Sequence, residues 1–370
     1  MNLTARFTDW LRSALLRGPL PRTAAIRPNN RRRKAAIALG AAAVLLFGFQ
    51  LALGIAAEES LYIRDPGYSD KEIRLARQEL LNPEGPRIVM LGTSRTAAAF
   101  DAGTMRAMLG RGVVFNFGIP ASGPITHLVY LKRLLADGHR PDLLILEVLP
   151  PTLADTPGGP GIPAGPLEGR FFYGDRLRHS ELDTVIGYGF PADDVRHKWR
   201  QSVAVPCYAL RFPIVGRLMP SALPWHLRFD WSRGCDDFGW GASINENVTP
   251  QAYAKGLQQA RGEYQAILAN LIPNGGGARA LADVLALCRD ERIAVRLVMM
   301  PEAAGFRAMY SPEVISRLHD YLERLCRDYG CEYTNAREWL DDTAFSDGHH
   351  MLRAGAREFT DRLYREVIRD

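Results

Sequence analysis

Ala35 to Ala57, AAIALGAAAVLLFGFQLALGIAA, runs 23 residues without a charge, and Gln50 is its only strongly polar side chain. A helix rises about 1.5 Å per residue, so this run reaches roughly 34 Å, enough for the ~30 Å hydrocarbon core of a bilayer. Glu58 and Glu59 close it, and Arg31-Arg32-Arg33-Lys34 stands directly before it. Basic flanks stay on the cytoplasmic side of a span. The pattern predicts a single-pass helix at 35–57 in the inner (cell) membrane, with a cytoplasmic basic tail at 1–34. Everything after residue 58 then lies on the periplasmic or extracellular side. A cleaved signal peptide is the rival reading; the length of the apolar run and of the basic segment before it argue against that. A buried core helix is a third.

The formal net charge of +5 misleads as an average, because residues 1–34 hold nine basic side chains against Asp9 alone. The tail carries more than the whole surplus, and the rest of the chain is mildly acidic. That distribution argues for the lipid bilayer as a partner and against nucleic acid. Within the tail, FTDWLRSALLRG (Phe7 to Gly18) is amphipathic enough to lie on the inner leaflet, and a disordered basic tail is the alternative. The five cysteines, Cys207, Cys235, Cys288, Cys326 and Cys331, all fall after the span. An oxidising compartment permits disulfides there, with Cys207–Cys235 and Cys326–Cys331 as conceivable pairs and one thiol left over. No CxxC or Cys/His spacing suggests zinc, and the sequence implies neither metal nor cofactor.

Beyond the span, Ser69 and Glu72 form a possible capping box opening a helix through about Leu81, so 58–84 reads as a stalk or as the first helix of the domain. Strand and helix patterns then alternate. Ile88–Leu91, Val113–Phe117 and Leu143–Val148 read as strands, with helices at Ala102–Leu109 and Ile125–Ala136 between them. After a long irregular stretch the alternation resumes. Helices are expected at Pro250–Leu271, Arg279–Arg289, Pro312–Tyr329 and Leu352–Ile368, and strands at Val295–Met300 and around Cys331–Thr334. Such alternation predicts an α/β domain at 85–370 with a parallel sheet sandwiched by helices, whose ligand sites lie at the carboxyl ends of its strands. The middle, about 151–248, reads as an insertion projecting over those ends. TPGGPGIPAGP (Thr156 to Pro166) cannot be a regular element. Trp199, Trp225, Trp231 and Trp240 fall in the same insertion, as its local core or as a sugar- or membrane-facing surface.

In RIVMLGTSRTAAAFD (Arg87 to Asp101) the apolar strand breaks at Gly92 and leaves Ser94 at the turn. Ser94 is either a nucleophile or merely the start of the next helix. A nucleophilic serine needs a base within hydrogen-bond reach and a carboxylate to orient that base. SDGHHMLRAG (Ser346 to Gly355) places Asp347 three residues before His350. The bland reading is that Asp347 caps the last helix and both histidines are surface residues.

The blocks GTSR, NFGIPASG (Asn116 to Gly123) and DGHHMLRAG follow the order and spacing of the SGNH/GDSL hydrolase blocks. The chain resembles that superfamily over about residues 85–150 and 250–370. It is most similar to the membrane-anchored branch that includes alginate O-acetylation and teichoic-acid D-alanylation proteins. PDLLILEVLPP and VMMPE (Val298 to Glu302) also look like that branch. The resemblance implies a flavodoxin-like (SGNH-type) fold with Ser94 as nucleophile, His350 as general base and Asp347 as its orienting acid. His349 is the competitor for the base, at the wrong offset for Asp-x-x-His. The oxyanion hole would use the Ser94 and Gly118 N–H groups. A third donor, normally an Asn in a GxND block, is missing where EVLPP stands, so either Asn116 or Arg95 substitutes or the oxyanion is held by fewer donors. Arg95, Glu147 and His349 are possible substrate contacts. An α/β-hydrolase elbow fits worse, because Thr96 stands where its second glycine belongs.

What the resemblance implies is a serine-dependent O-acyltransferase that modifies a cell-surface polysaccharide or glycolipid, with acetyl as the group transferred. It also implies a multi-pass membrane acyltransferase as partner. An esterase or deacetylase of the same substrates, and a non-catalytic glycan-binding or assembly scaffold, are the alternatives.

Overall fold

The computed structural model describes residues 30–158, 164–170, 174–224, 234–243 and 245–369. The tail helix around Phe7–Gly18, Trp225 and Trp231 lie outside the described residues. Contacts divide the chain into two units, up to Ala52 and from Leu53 onward. Helix α1 (Asn30–Glu59), most of which belongs to the first, is long and apolar enough to cross a membrane. Its large side chains are bare, Leu45 at 73% and Phe47 at 72% exposure. A water-soluble helix would bury such a surface, whereas lipid solvates it.

The second unit is built on a five-stranded parallel sheet. Its strands are β1 (Arg87–Gly92), β2 (Val113–Gly118), β3 (Leu143–Glu147), β4 (Ala294–Met299) and β5 (Glu332–Asn335). They pair in the order β2-β1-β3-β4-β5. This is the flavodoxin-like order, in which the chain leaves β1 for one edge and returns across it to build the other half. Nearly every residue of β1 and β2 is buried, because helices cover both faces.

Alternate side chains go to opposite layers. Val89, Leu91, Phe115, Phe117, Leu144, Leu146 and Leu297 pack against α2 (Pro66–Leu81), α5 (Pro124–Ala136), α9 (Gly276–Asp290) and α10 (Pro312–Tyr329). Ile88, Met90, Val114, Ile145 and Val298 pack against α3 (Ser94–Ala99), α4 (Ala102–Leu109) and α11 (Arg353–Leu363). Helix α8 (Pro250–Leu268) lies between the insertion and α9 in the chain.

The segment after the span packs as a first helix. Tyr68 and Leu75 of α2 are buried at 1% exposure, and Lys71 donates to the carbonyls of Asn116 and Gly239. The expected Ser69/Glu72 capping box does not form. The N-cap of helix α2 lies four residues earlier, where the Asp65 side chain accepts from the Tyr68 N–H and Pro66 fills the first turn. Ser69 Oγ instead accepts from Arg217. A proline at the first helical position loses no hydrogen bond there, which is why the start moved to it.

The insertion holds α6 (Ala192–Ala204) and α7 (Arg211–Leu218) with short turns between. Within Thr156–Pro166 the ends do form a minimal ladder, Asp155–Thr156 against Gly165–Pro166. Trp199 packs on the main core and stacks near His179, and Trp240 is buried with its Nε1 donating to the Ala98 carbonyl. Both are packing residues, but of the main layers of the domain rather than of a core local to the insertion. Neither conceivable disulfide forms among the described residues, although Cys326 and Cys331 bring their sulfurs to 2.9 Å across the end of α10.

His139, just after α5, bridges Glu79 at 2.7 Å and Glu72 at 3.1 Å, both on α2. Hydrogen bonds to Glu72 and Glu79 raise its pKa to about 9. A raised folded-state pKa gives stability that is fully present below the unfolded value of about 6.5 and lost as pH rises through about 9. Urea unfolding of the wild type and His139→Gln should therefore differ most near pH 6 and converge above about pH 9. A difference independent of pH would contradict this reading of the bridge.

Candidate active site

β1 ends at Gly92, and α3 begins at Ser94 with Thr93 as its N-cap. Ser94 is thus both the first helical residue and the side chain at the sheet's carboxyl edge. Gly92 is required at the turn, because a Cβ there would sit 2.0 Å from Thr96 Oγ1 and 2.4 Å from Glu147 Oε2.

The Asp-x-x-His loop reaches Ser94 from the far end of the chain. Ser94 Oγ lies 2.8 Å from His350 Nε2, and His350 Nδ1 lies 2.8 Å from Asp347 Oδ2. The other carboxylate oxygen of Asp347 accepts from the backbone N–H groups of His350 at 2.9 Å and His349 at 3.2 Å. Gly348, at φ +96°, makes the sharp turn that folds the loop back on its own carboxylate. Gly256 of α8 lets that helix press on the loop, since a Cβ there would stand 2.6 Å from Asp347 Cβ. Asp347 is therefore not the cap of the last helix, whose N-cap is Leu352 with no side-chain bond.

Burial alone would raise the Asp347 carboxyl, but the hydrogen bond and charge of His350, with His349 beside it, hold it well below the usual carboxylate range. An ionised Asp347 accepting from Nδ1–H leaves the lone pair of Nε2 facing Ser94, the tautomer a general base needs. His349 does not compete for the serine. It is buried, its ring lies 4.1 Å from that of His350 and 4.9 Å from that of Phe306, and its Nδ1 is 3.4 Å from Asp347 Oδ1. Burial, with His350 adjacent, lowers its pKa to about 3, so it is a neutral packing ring behind the base rather than a substrate contact.

Four of the expected site residues do other work. Gly118 N–H is taken by Asn116 Oδ1 at 2.9 Å, so it is not free to hold an oxyanion. The Asn116 amide donates to the carbonyls of Thr96 and Phe100, each at 2.8 Å, and ties α3 to β2. Gly118 is glycine for a steric reason, because a Cβ would meet the Ala97 nitrogen at 2.3 Å. Arg95 is buried at 1% exposure and donates to the carbonyls of Met300 and Pro301. Glu147, also at 1%, accepts from the Thr93 N–H at 2.7 Å, Thr93 Oγ1 at 3.0 Å and Thr96 Oγ1 at 2.6 Å. Neither charged group reaches substrate. Glu147 is the clamp on the serine turn, and a carboxylate at the first turn of α3 is favoured by the helix dipole as well.

The same buried layer continues sideways. Arg95 stands 3.8 Å from Glu147 and 3.5 Å from Glu302, and Glu302 pairs with Arg337 at 2.7 Å. Alternating charges thus link the ends of β1, β3, β4 and β5 under the site.

A cleft beside Ser94 is lined by Thr93, Ala121, Ser122, Leu149, Leu167 and Tyr264, among others. Leu167 comes from the insertion, which here reaches the strand ends. Ala121 was not singled out in the sequence. It adopts φ +62°, a conformation costly for a non-glycine residue, in the loop that follows β2. Among the described residues neither the Ser94 N–H nor the Ala121 N–H has a protein acceptor. Glu168, from the insertion, accepts from the N–H groups of Ile125 and Thr126 and fixes the start of α5 beyond that loop.

No known protein family and no curated protein matches the chain. Among solved structures it is similar to an acetyl-xylooligosaccharide esterase from Geobacillus, at TM-score 0.35 and 10% identity over 78% of this chain and 96% of that one. It is also similar to an alpha/beta hydrolase enzyme from the metagenome of Lake Arreo, Spain, at TM-score 0.33 and 12% identity over 76% and 94%. Likeness this loose carries no weight for chemistry, which rests on the geometry of the chain itself.

Removing one partner of a buried ionic cluster costs roughly 3–5 kcal/mol, because the remaining charge is stranded. Glu147→Ala should lose stability on that scale, because the buried Thr93 and Thr96 donors lose their acceptor and Arg95 keeps Glu302 as its one remaining partner in the cluster. Glu147→Gln keeps the shape but sets an amide N–H against a threonine donor. It should cost roughly 1–3 kcal/mol and slow labelling of Ser94 by a fluorophosphonate. Denaturant unfolding and labelling rates check both; wild-type behaviour of Glu147→Ala would refute the clamp.

Proposed function

We propose that this chain is a membrane-anchored serine enzyme acting on acyl esters outside the cytoplasm. Its reading of best fit is an O-acyltransferase that carries an acetyl group to a hydroxyl of a cell-surface polysaccharide or glycolipid. The observation that carries it is the continuous line of hydrogen bonds from Ser94 through His350 to Asp347. The SGNH-like order of the sequence blocks supports it, and α1 supports the anchoring.

In the first half-reaction His350 Nε2 takes the Ser94 proton as Oγ attacks the ester carbonyl carbon. The carbonyl oxygen becomes an oxyanion. The Ser94 N–H, at the open start of α3, and the Ala121 N–H are the proposed donors to it; each such donor is typically worth about 10²–10³ in rate. Collapse breaks the bond to the leaving oxygen, which takes the proton back from His350, and acyl-Ser94 remains. In the second half an acceptor hydroxyl attacks acyl-Ser94 with His350 as base, regenerating the serine and releasing the acylated acceptor. With water as acceptor the same groups make an esterase or deacetylase.

The size of the cleft favours a small acyl group. Its volume beside Ser94 is about 40 Å³, and a water-sized occupant needs ~10–15 Å³ on that measure. That is room for a few heavy atoms against the serine, as an acetyl group needs. A multi-pass membrane acyltransferase delivering acetyl groups from the cytoplasm is the proposed partner.

Ser94→Ala should abolish turnover of an acetyl test ester, and Asp347→Asn should lower it by about 10⁴-fold through the wrong imidazole tautomer. Mass spectrometry after a fluorophosphonate probe should place the adduct on Ser94. Unchanged ester turnover and unchanged cell-surface acetylation in Ser94→Ala would leave only the scaffold reading. Acetylated glycan rather than free acetate as the main product separates transfer from hydrolysis.

A further inference from the structure

The insertion touches the outer end of the apolar helix as well as the cleft. A Cβ built at Gly54 would stand 3.2 Å from the carbonyl oxygen of Val203 and 3.8 Å from Pro206. The apolar run ends at Ala57, so Gly54 lies three residues inside it, roughly 4–5 Å on the lipid side of its end at ~1.5 Å per residue. Arg64 locks the same corner. Fully buried, it donates to the carbonyls of Ala57, Asp175 and Leu177, to Ser202 and to Glu58. The insertion is thereby packed against residues 54–58, at the outer end of the apolar run.

What the insertion presents there is apolar. Val203 at 39%, Val205 at 47%, Tyr208 at 61%, Leu218 at 75% and Met219 at 58% exposure come from the end of α6, the turn after it and α7. Residues 203–224 contain no acid, and their two charges are Arg211 and Arg217. The Arg211 guanidinium lies over the rings of Tyr208 and Phe212, at 4.0 and 4.2 Å from their centroids. Arg217 lies over Tyr62 and pairs with Asp70. Exposed aliphatic residues, a tyrosine and Arg211 match the make-up of a membrane-interface element, where apolar side chains enter the acyl boundary and aromatic and cationic groups stay with the headgroups.

We infer that 203–219 is a membrane foot: a second contact with the bilayer, seated in the headgroup layer beside the anchor. It rests on the reading of α1 as a membrane span and not on the chemistry at Ser94. A lone helix would leave the domain free to tilt, whereas a second bilayer contact fixes its height. Because the same insertion supplies Leu167 and Glu168 to the cleft, that height is passed to the acyl site.

The test uses the full chain in nanodiscs containing lipid alone. An environment-sensitive fluorescent amino acid is placed in turn at Leu218, at Leu45 in the apolar helix, and at Arg327. Arg327 lies on α10, packed beside β5. That edge is four strand spacings, about 19 Å, from β2. Lipids carrying a nitroxide just below the headgroup should quench the Leu218 probe by about twofold or more, as expected for an interfacial depth of ~5–10 Å, and leave the Arg327 probe unchanged. Quenching at Leu45 but not at Leu218 would overturn the foot and assign the surface to a protein partner. Absence of quenching at Leu45 would overturn the span itself, and the foot with it. A fluorophosphonate adduct on Ser94 in the same samples reports separately on the chemistry.

Discussion

A buried carboxylate, Glu147 at the end of β3, is the constraint on which the rest of the site depends. It accepts two backbone or side-chain donors from Thr93 and one from the Thr96 hydroxyl, so the turn carrying Ser94 has one conformation. Burying that charge is costly in isolation, and Arg95 is the cation that balances it. Arg95 in turn faces Glu302, and Glu302 is held by Arg337 and by the Tyr310 hydroxyl. The array fixes the ends of four strands relative to one another, so the serine turn is held on a rigid edge rather than on a loop. Rigidity of this kind is what a nucleophile needs, because small displacements from the base cost orders of magnitude in rate.

The layered fold was legible because hydrophobic period and chain order leave little freedom. The strands expected at Ile88–Leu91 and Val113–Phe117 and the helices at Ala102–Leu109 and Pro312–Tyr329 occur within a residue or so of their expected limits. Ser94, Asp347 and His350 meet as the order of the SGNH-like sequence blocks implies, whereas the Asp-x-x-His spacing by itself fitted a capping aspartate and two surface histidines as well. Helix starts were harder. Ser69 and Glu72 match a capping box, but Asp65 followed by Pro66 is the stronger start signal, and the chain used it.

The oxyanion donors could not be read from residue type. Gly118 looks like a donor because glycine permits close approach, yet its N–H is consumed by Asn116 and the glycine serves packing against α3. Ala121, with φ +62°, gives no sign of its conformation in sequence, since alanine is an uncommon choice there. Charged residues misled in the same way. Arg95 and Glu147 adjoin the serine in chain and space, and a polar residue near a nucleophile suggests substrate contact. Their mutual burial, which no local pattern encodes, makes them supports instead. His349 belongs with them, as a neutral ring packed between His350 and Phe306.

The insertion joins two regions that are distant in the chain. Its early part closes the cleft through Leu167 and caps α5 through Glu168, and its later part meets the residues at the outer end of the apolar helix.

The central claim is that His350 carries its proton on Nδ1, held by Asp347, and turns its other nitrogen to Ser94. Proton NMR of the far-downfield region tests it most directly. The account predicts a resonance from the His350 Nδ1–H, shifted downfield by its bond to an ionised carboxylate, that disappears in His350→Gln and moves upfield in Asp347→Asn. A spectrum without that resonance under conditions where the protein is folded, or one unaffected by either substitution, would contradict the account.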